Sequence, residues 1–432
     1  MTEILFIIIQ IISILLLFTY SSYGLLFPTL STNENLYQKI SANLIINLNI
    51  LLIISFFKIP TTLGFLFLFS LTVLNLIFYK KLKNKITFNP LILVLFFLFI
   101  FLITINLFDN LYLGWDAKLF YILKTINFHS NLNVNSLNDL PVYDYPHLGS
   151  FVWALFWKFP LNISEVYGRI FYIIVYCSSI FLFIQKFKIE NTKKIILLIL
   201  FFLATYKYEY FSGLQEILVF SFILIATKFC LDLIEEKNIN VQKKIIYLII
   251  GITNIACWIK NEGLILMLII NFSLLFLQNI SFKNKLILIG GSVLVIFIRS
   301  YFIISSNIDL ISFQFDTTTS KINLFDLFKD IKIIVFYSFV YFTQLPIYLI
   351  GIPFIFWLIF KKNFRIDTKK FLIVHLVLST LFIIVAFLLT HQNIEWQTRV
   401  GLKRVLFENS SFYLISIYLL FNKIKKTKFK NS

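Results

Sequence analysis

Apolar residues run in long blocks along this chain, and polar residues are confined to the short stretches between them. Runs of roughly 18–22 residues recur from end to end, long enough for a helix to cross ~30 Å of hydrocarbon. About twelve or thirteen such blocks can be read, at 4–27, 40–57, 62–79, 88–108, 165–184, 195–206, 214–231, 245–259, 262–279, 286–304, 333–360, 371–390 and 405–421. In lipid a backbone must satisfy its own hydrogen bonds. Runs this long do so as helices, because barrel strands are shorter and alternate in polarity. The expected fold class is therefore all-α, a polytopic integral membrane protein. The block at 333–360 is long and holds Pro346 and Pro353, so it reads as one kinked span or as a short helix followed by a span. No soluble domain, internal repeat or linker is visible, and residues 1–432 read as a single membrane domain.

Composition agrees with the pattern: 59% of residues are hydrophobic and the mean hydropathy is +0.87. A soluble chain of this length needs far more polar residues to cover its core. The net charge of +18 first suggests nucleic acid, but the cations sit in clusters between apolar blocks, as cytoplasmic loops do. The clusters are Lys80–Lys85, Lys186–Lys194, Lys237–Lys244, Lys283–Lys285, Lys361–Lys370 and the tail from Lys423. With the spans above, all of them fall on one side, which the positive-inside rule makes cytoplasmic. A multi-pass protein of the cell membrane is expected, with no nucleic-acid partner. Cys177, Cys230 and Cys257 are far apart within apolar blocks, which fits packing residues and not a disulfide framework. The start Met1-Thr2-Glu3 has no basic region, so the first block reads as a retained helix.

The other side receives 109–164, 207–213, 260–262, 305–332 and 391–404. The first is the main extracytoplasmic loop and holds most of the unusual chemistry. Asp116 follows Trp115 where a span ends and the helix-like stretch AKLFYILKTINF begins. A carboxylate there is either a partly desolvated general base or an N-cap. Asp144 lies in YDYPHLG, where Pro146 and Gly149 indicate a turn leading into an aromatic helix along the interface. Tyr143, Tyr145, Trp153 and Trp157 fit an aromatic belt. His129 and His147 are weak candidate metal ligands, without a spacing motif. Glu216 and Glu262 stand at outer ends of spans, as functional carboxylates or as helix-start charges. Arg399, Lys403 and Arg404 form a basic group, with Arg399 and Lys403 at i, i+4. They suit either a lipid phosphate or snorkelling anchors. The topology puts Asp116, Asp144, Glu216, Glu262, Arg399 and Arg404 on one side, where a bundle can gather them around one cavity.

At these residues the chain resembles the GT-C superfamily of membrane glycosyltransferases. The branch most similar to it is the bacterial one related to dolichyl-phosphate-mannose–protein mannosyltransferases (glycosyltransferase family 39-like). The resemblance rests on Trp115-Asp116-Ala117 with Lys124, then Tyr145-Pro146, Gly213-Leu214-Gln215-Glu216, Asn261-Glu262-Gly263 and Gly401-Leu402-Lys403-Arg404, in that order over roughly residues 105–415. Glu216 stands where the family has Asp, Gly401 departs from its usual Ser, and the three spans before residue 88 have no counterpart in the simplest layout.

The resemblance implies a GT-C-like fold and transfer of a sugar from a polyprenyl-phosphate carrier to a lipid, glycan or protein acceptor on the extracytoplasmic face, with inversion. Asp116 would be the catalytic base. Lys124, Asp144, Tyr145, His147, Glu216, Glu262, Arg399, Lys403 and Arg404 would bind substrates. No cofactor is implied with certainty, although a divalent cation is compatible, and no metal ligands are assigned. Two other readings share the architecture. One is a transporter or flippase of lipid-linked sugars, for which Arg299 and His375 are the nearest intramembrane groups. The other is a polysaccharide polymerase or ligase.

Overall fold

The computed structural model of the chain describes residues 2–20, 36–57, 59–82, 89–140, 145–305, 324–362, 364–389 and 393–428. Among them every regular element is helical. The helices are α1 Thr2–Tyr20, α2 Leu36–Phe56, α3 Thr61–Leu82, α4 Pro90–Asp109, α5 Ile122–His129, α6 Leu148–Lys158, α7 Glu165–Gln185, α8 Asn191–Thr205 and α9 Glu216–Glu235. They continue with α10 Ile239–Ile259, α11 Asn261–Leu274, α12 Phe282–Ser305, α13 Leu324–Gln344, α14 Pro346–Phe360, α15 Ile366–Leu388, α16 Ile394–Gln397 and α17 Lys403–Lys428. Two π-helical turns, Ala117–Tyr121 and Thr398–Leu402, lead directly into α5 and α17.

A helix forms in each expected apolar block, but fewer of them qualify as spans than the sequence suggests. Among the described residues seven are long and apolar enough to cross a membrane: α1, α2, α4, α7, α9, α12 and α15. An eighth is reached if α13 and α14 count as one broken span; they meet at Leu345 with a bend of 104°. The reasons differ from block to block. α11 has only 14 residues and α8 only 15, about 21 and 22 Å of helix. α10 and α17 are long but carry Lys243, Lys244, Glu408 and Asn409.

The chain packs as two compact units. The first comprises 1–202, 206–221 and 258–260; the second comprises 203–205, 222–257 and 261–432. In the first unit α7 is the central post, enclosed over its whole length, with α1, α2, α4 and α6 packed around it. Polar side chains fasten these helices where no water competes. Asn43 of α2 donates to Thr19 O at 3.0 Å, and Gln10 of α1 donates to Phe156 O at 2.6 Å and Phe159 O at 3.1 Å, closing the end of α6. α4 starts at an Asn89 cap that accepts from Leu91 N and Ile92 N, with Pro90 in the first turn.

In the second unit α14 packs along α17, and α11 and α13 pack against α15. Asn271 of α11 donates to Thr253 Oγ1 at 2.9 Å and Ser292 Oγ at 3.0 Å, joining α10, α11 and α12. Cys177, Cys230 and Cys257 are buried and unbridged, as packing residues should be.

Candidate functional site

The segment between α4 and α7 is ordered by backbone and buried side-chain contacts within the first unit. Gly114 N donates to Ser212 O at 2.9 Å, so the approach to Asp116 is held against the short turn Tyr208–Phe211. Beside it Gly213 adopts φ +86°, and a β-carbon there would meet the Trp153 ring at 2.8 Å and Ala117 Cβ at 3.0 Å. Arg169 of α7, fully buried, reaches Tyr112 O at 3.1 Å, Phe211 O at 3.4 Å and the Glu165 carboxylate at 2.8 Å. One guanidinium thus ties the segment after α4 and the turn before α9 to the central helix, which is work suited to its planar fork of donors.

Asp116 is half-buried and already helical, with φ −64° and ψ −32°, and its side chain caps nothing. The N-cap alternative is therefore set aside: a cap has extended backbone and accepts from the next turn. Trp115 is 57% exposed. The π turn that follows packs Phe120 flat against Tyr145, with ring centroids 5.2 Å apart. π-helical turns are rare and frequent at functional sites.

Tyr145 and His147 are fixed on both sides of Pro146. Lys124, wholly buried, donates from Nζ to Tyr145 O at 2.6 Å. Its ammonium is thus used to hold the chain, which makes Lys124 a positioning residue in this arrangement. His147 is 2% exposed, and its Nε2 lies 2.9 Å from Ser55 Oγ. The Ser55 hydroxyl also lies 2.7 Å from Leu52 O, so it joins His147 to the helix α2 backbone. His129 meets Asn162 Oδ1 at 2.7 Å and stacks on Trp157. Among the described residues no three or more His, Cys, Asp or Glu side chains form a metal-holding group. Asp144 and Tyr143 lie outside the described residues.

The aromatic helix after Pro146 is not an interface helix. Leu148 to Phe156 are buried on every side of α6, and Trp153, fully enclosed, donates Nε1–H to Glu165 O at 2.8 Å. The belt reading of Trp153 is corrected accordingly, since a helix apolar all round belongs in the interior.

Glu216, at the first residue of α9, is 1% exposed and pairs with Lys260 at 3.2 Å. Two residues before Lys260, Trp258 lies edge-on to Phe56 and His147, at 4.7 and 5.4 Å. Gln215 Nε2 donates to Tyr172 OH at 2.8 Å, in the heart of the unit. Lys260, Arg169 and Ser55 are not among the residues that the sequence marks as candidates. Arg169 had left a signal, because Glu165 and Arg169 form an i, i+4 pair inside an apolar block. Lys260 and Ser55 left none, because their partners are distant in sequence.

The remaining candidates belong to the second unit. Glu262 is half-buried in the first turn of α11, next to Asn261, whose Oδ1 accepts from Arg299 at 3.3 Å. Arg399 sits in the second π turn, exposed, with its guanidinium on Glu395 and its Nε donating to Tyr337 OH at 2.6 Å. The Tyr337 hydroxyl first, and then the Glu395 carboxylate, hold Arg399 above its ordinary pKa. Lys403 and Arg404, half-buried, open α17. The structure thus brings Lys124 to Tyr145, Glu216 to Lys260, and Arg399 to Tyr337.

The chain matches no protein-family model, and no curated protein or solved structure is significantly similar to it.

Proposed function

We propose that the chain is a membrane glycosyltransferase that moves a sugar from a polyprenyl-phosphate carrier to an acceptor at the extracytoplasmic face of the cell membrane. The observation that carries this reading is the setting of Asp116. Its carboxylate is half-buried, takes no part in capping, and stands at the start of a π turn beside the exposed Trp115. The backbone around it is held by Gly114, Arg169 and the Phe120–Tyr145 stack. A general base needs such a fixed position beside the incoming hydroxyl.

In this reading Asp116 takes the acceptor proton as the acceptor oxygen attacks the anomeric carbon. The bond to the carrier phosphate breaks, and configuration inverts in one displacement. Arg399, Lys403 and Arg404 are the proposed phosphate ligands. Lys124 and Arg169 hold the loop through backbone carbonyls.

The test is sugar transfer by purified protein from a panel of polyprenyl-phosphate-linked sugars. Asp116→Asn keeps size and polarity but cannot accept the proton, and it should lower turnover ~10²–10⁴-fold with carrier binding retained. Full turnover by Asp116→Asn would remove the base assignment. Transport is the competing reading and draws on Arg299 and His375, which are buried in the spans α12 and α15. Movement of a lipid-linked sugar across vesicles without any transfer would favour it.

A further inference from the structure

α13 and α14 meet close to a right angle, with a bend of 104° at Leu345. Spanning helices tilt by ~20° on average, so two that meet in this way are not both spans. Charge decides which of them enters the hydrocarbon. α14 carries no charged residue from Pro346 to Phe360 and is followed by Lys361 and Lys362. It packs along α17, where Tyr348 OH donates to Leu406 O at 2.8 Å. α13 carries Lys329, Asp330 and Lys332 in its first half.

The two faces of α13 differ. Phe328, Lys332, Val335, Phe336 and Phe339 fall within an arc of about 100° at 3.6 residues per turn. All five are exposed, with Phe328 and Phe339 at 70%. The opposite face holds Ile334, fully buried, with Tyr337 and Tyr341 beside it. Tyr337 OH accepts from Arg399 Nε and donates to Glu395 Oε1 at 3.3 Å, and Tyr341 OH donates to Arg399 O at 3.0 Å.

We infer that α13 lies along the membrane surface, its phenylalanine stripe docked into the lipid interface and its tyrosine face clamping the Arg399 turn. The partner is the bilayer itself. The apolar stripe enters the acyl boundary, while the Lys329 and Lys332 stems reach up to headgroup phosphates, as in-plane amphipathic helices do. The arrangement sets the Arg399 turn at headgroup depth. It holds whether or not the transferase reading does, because it rests on the bend, the two faces and the charge placement alone.

The experiment is depth measurement by spin labels on single cysteines, in nanodiscs of phosphatidylethanolamine and phosphatidylglycerol. Labels replace Phe328, Lys332, Phe336 and Phe339, all exposed, so the core is left untouched. An in-plane helix gives four depths that agree within about one turn, ~5.4 Å, near the headgroup boundary. A spanning or re-entrant α13 gives a steady gradient, ~16 Å from 328 to 339, because each residue rises 1.5 Å. That gradient overturns the inference, and so do labels that meet water-borne relaxant but no lipid-borne oxygen.

Discussion

Lys260 directs its ammonium at the Glu216 carboxylate from 3.2 Å, with both side chains almost wholly enclosed. Two charges withdrawn from solvent are stable only together, and removing one partner strands the other at a cost of about 3–5 kcal/mol. Lys260→Met and Glu216→Leu should each destabilise the protein by about that amount, while the double variant should recover most of the loss. Unfolding in detergent checks the cycle. If the double variant is stable but inactive in sugar transfer, the pair serves the chemistry as well as the fold. Additive losses would show that the two charges do not act as a pair.

Gly149 is held free of a side chain by Gln215. A β-carbon at 149 would stand 1.8 Å from Gln215 Oε1, and Gln215 is itself bonded to Tyr172 OH. Gly149→Ala should therefore cost about 1–3 kcal/mol, the usual range for overpacking. Truncating the obstacle in Gly149→Ala/Gln215→Ala should relieve part of it, and thermal unfolding of the three variants reads the coupling. A Gly149→Ala protein as stable as the parent would contradict the close approach.

The lysine clusters predict the sidedness of the loops. With the three native cysteines replaced, single cysteines at Asn138 and Asn238, both exposed, should behave oppositely toward an impermeant thiol reagent in intact cells. Asn138→Cys should react and Asn238→Cys should not. The reverse pattern would place Asp116 on the cytoplasmic side and end the extracytoplasmic assignment.

Arg404 opens α17 as the last cation of the basic group. A guanidinium offers phosphate a planar fork that lysine cannot reproduce. Arg404→Lys should weaken binding of a polyprenyl phosphate in nanodiscs, and Arg404→Ala should weaken it further, by about 1.5–3 kcal/mol for a charge-assisted bond. Equal affinity across parent, lysine and alanine would leave Arg404 as an anchor only.

The amino-acid pattern by itself located the helices. In lipid a backbone has only its own turn to bond with, so an apolar run of sufficient length becomes a helix wherever it falls. The Asn89–Pro90 start of α4 and the Glu165–Arg169 pair follow the same local logic, since partners one turn apart can be read from spacing. Neither the burial of each helix nor its right to count as a span could be read in this way. Lipid and protein interior are both apolar, and α7, wholly enclosed, looks in sequence much like α4, which is two-thirds open. Tertiary packing alone decided that Lys124 would hold Tyr145 O, that Trp153 would be sealed in the core, and that Lys260 would find Glu216 across 44 residues of sequence. It also decided the right-angle break at Leu345. A proline permits a bend, but its direction and size come from what the two halves pack against.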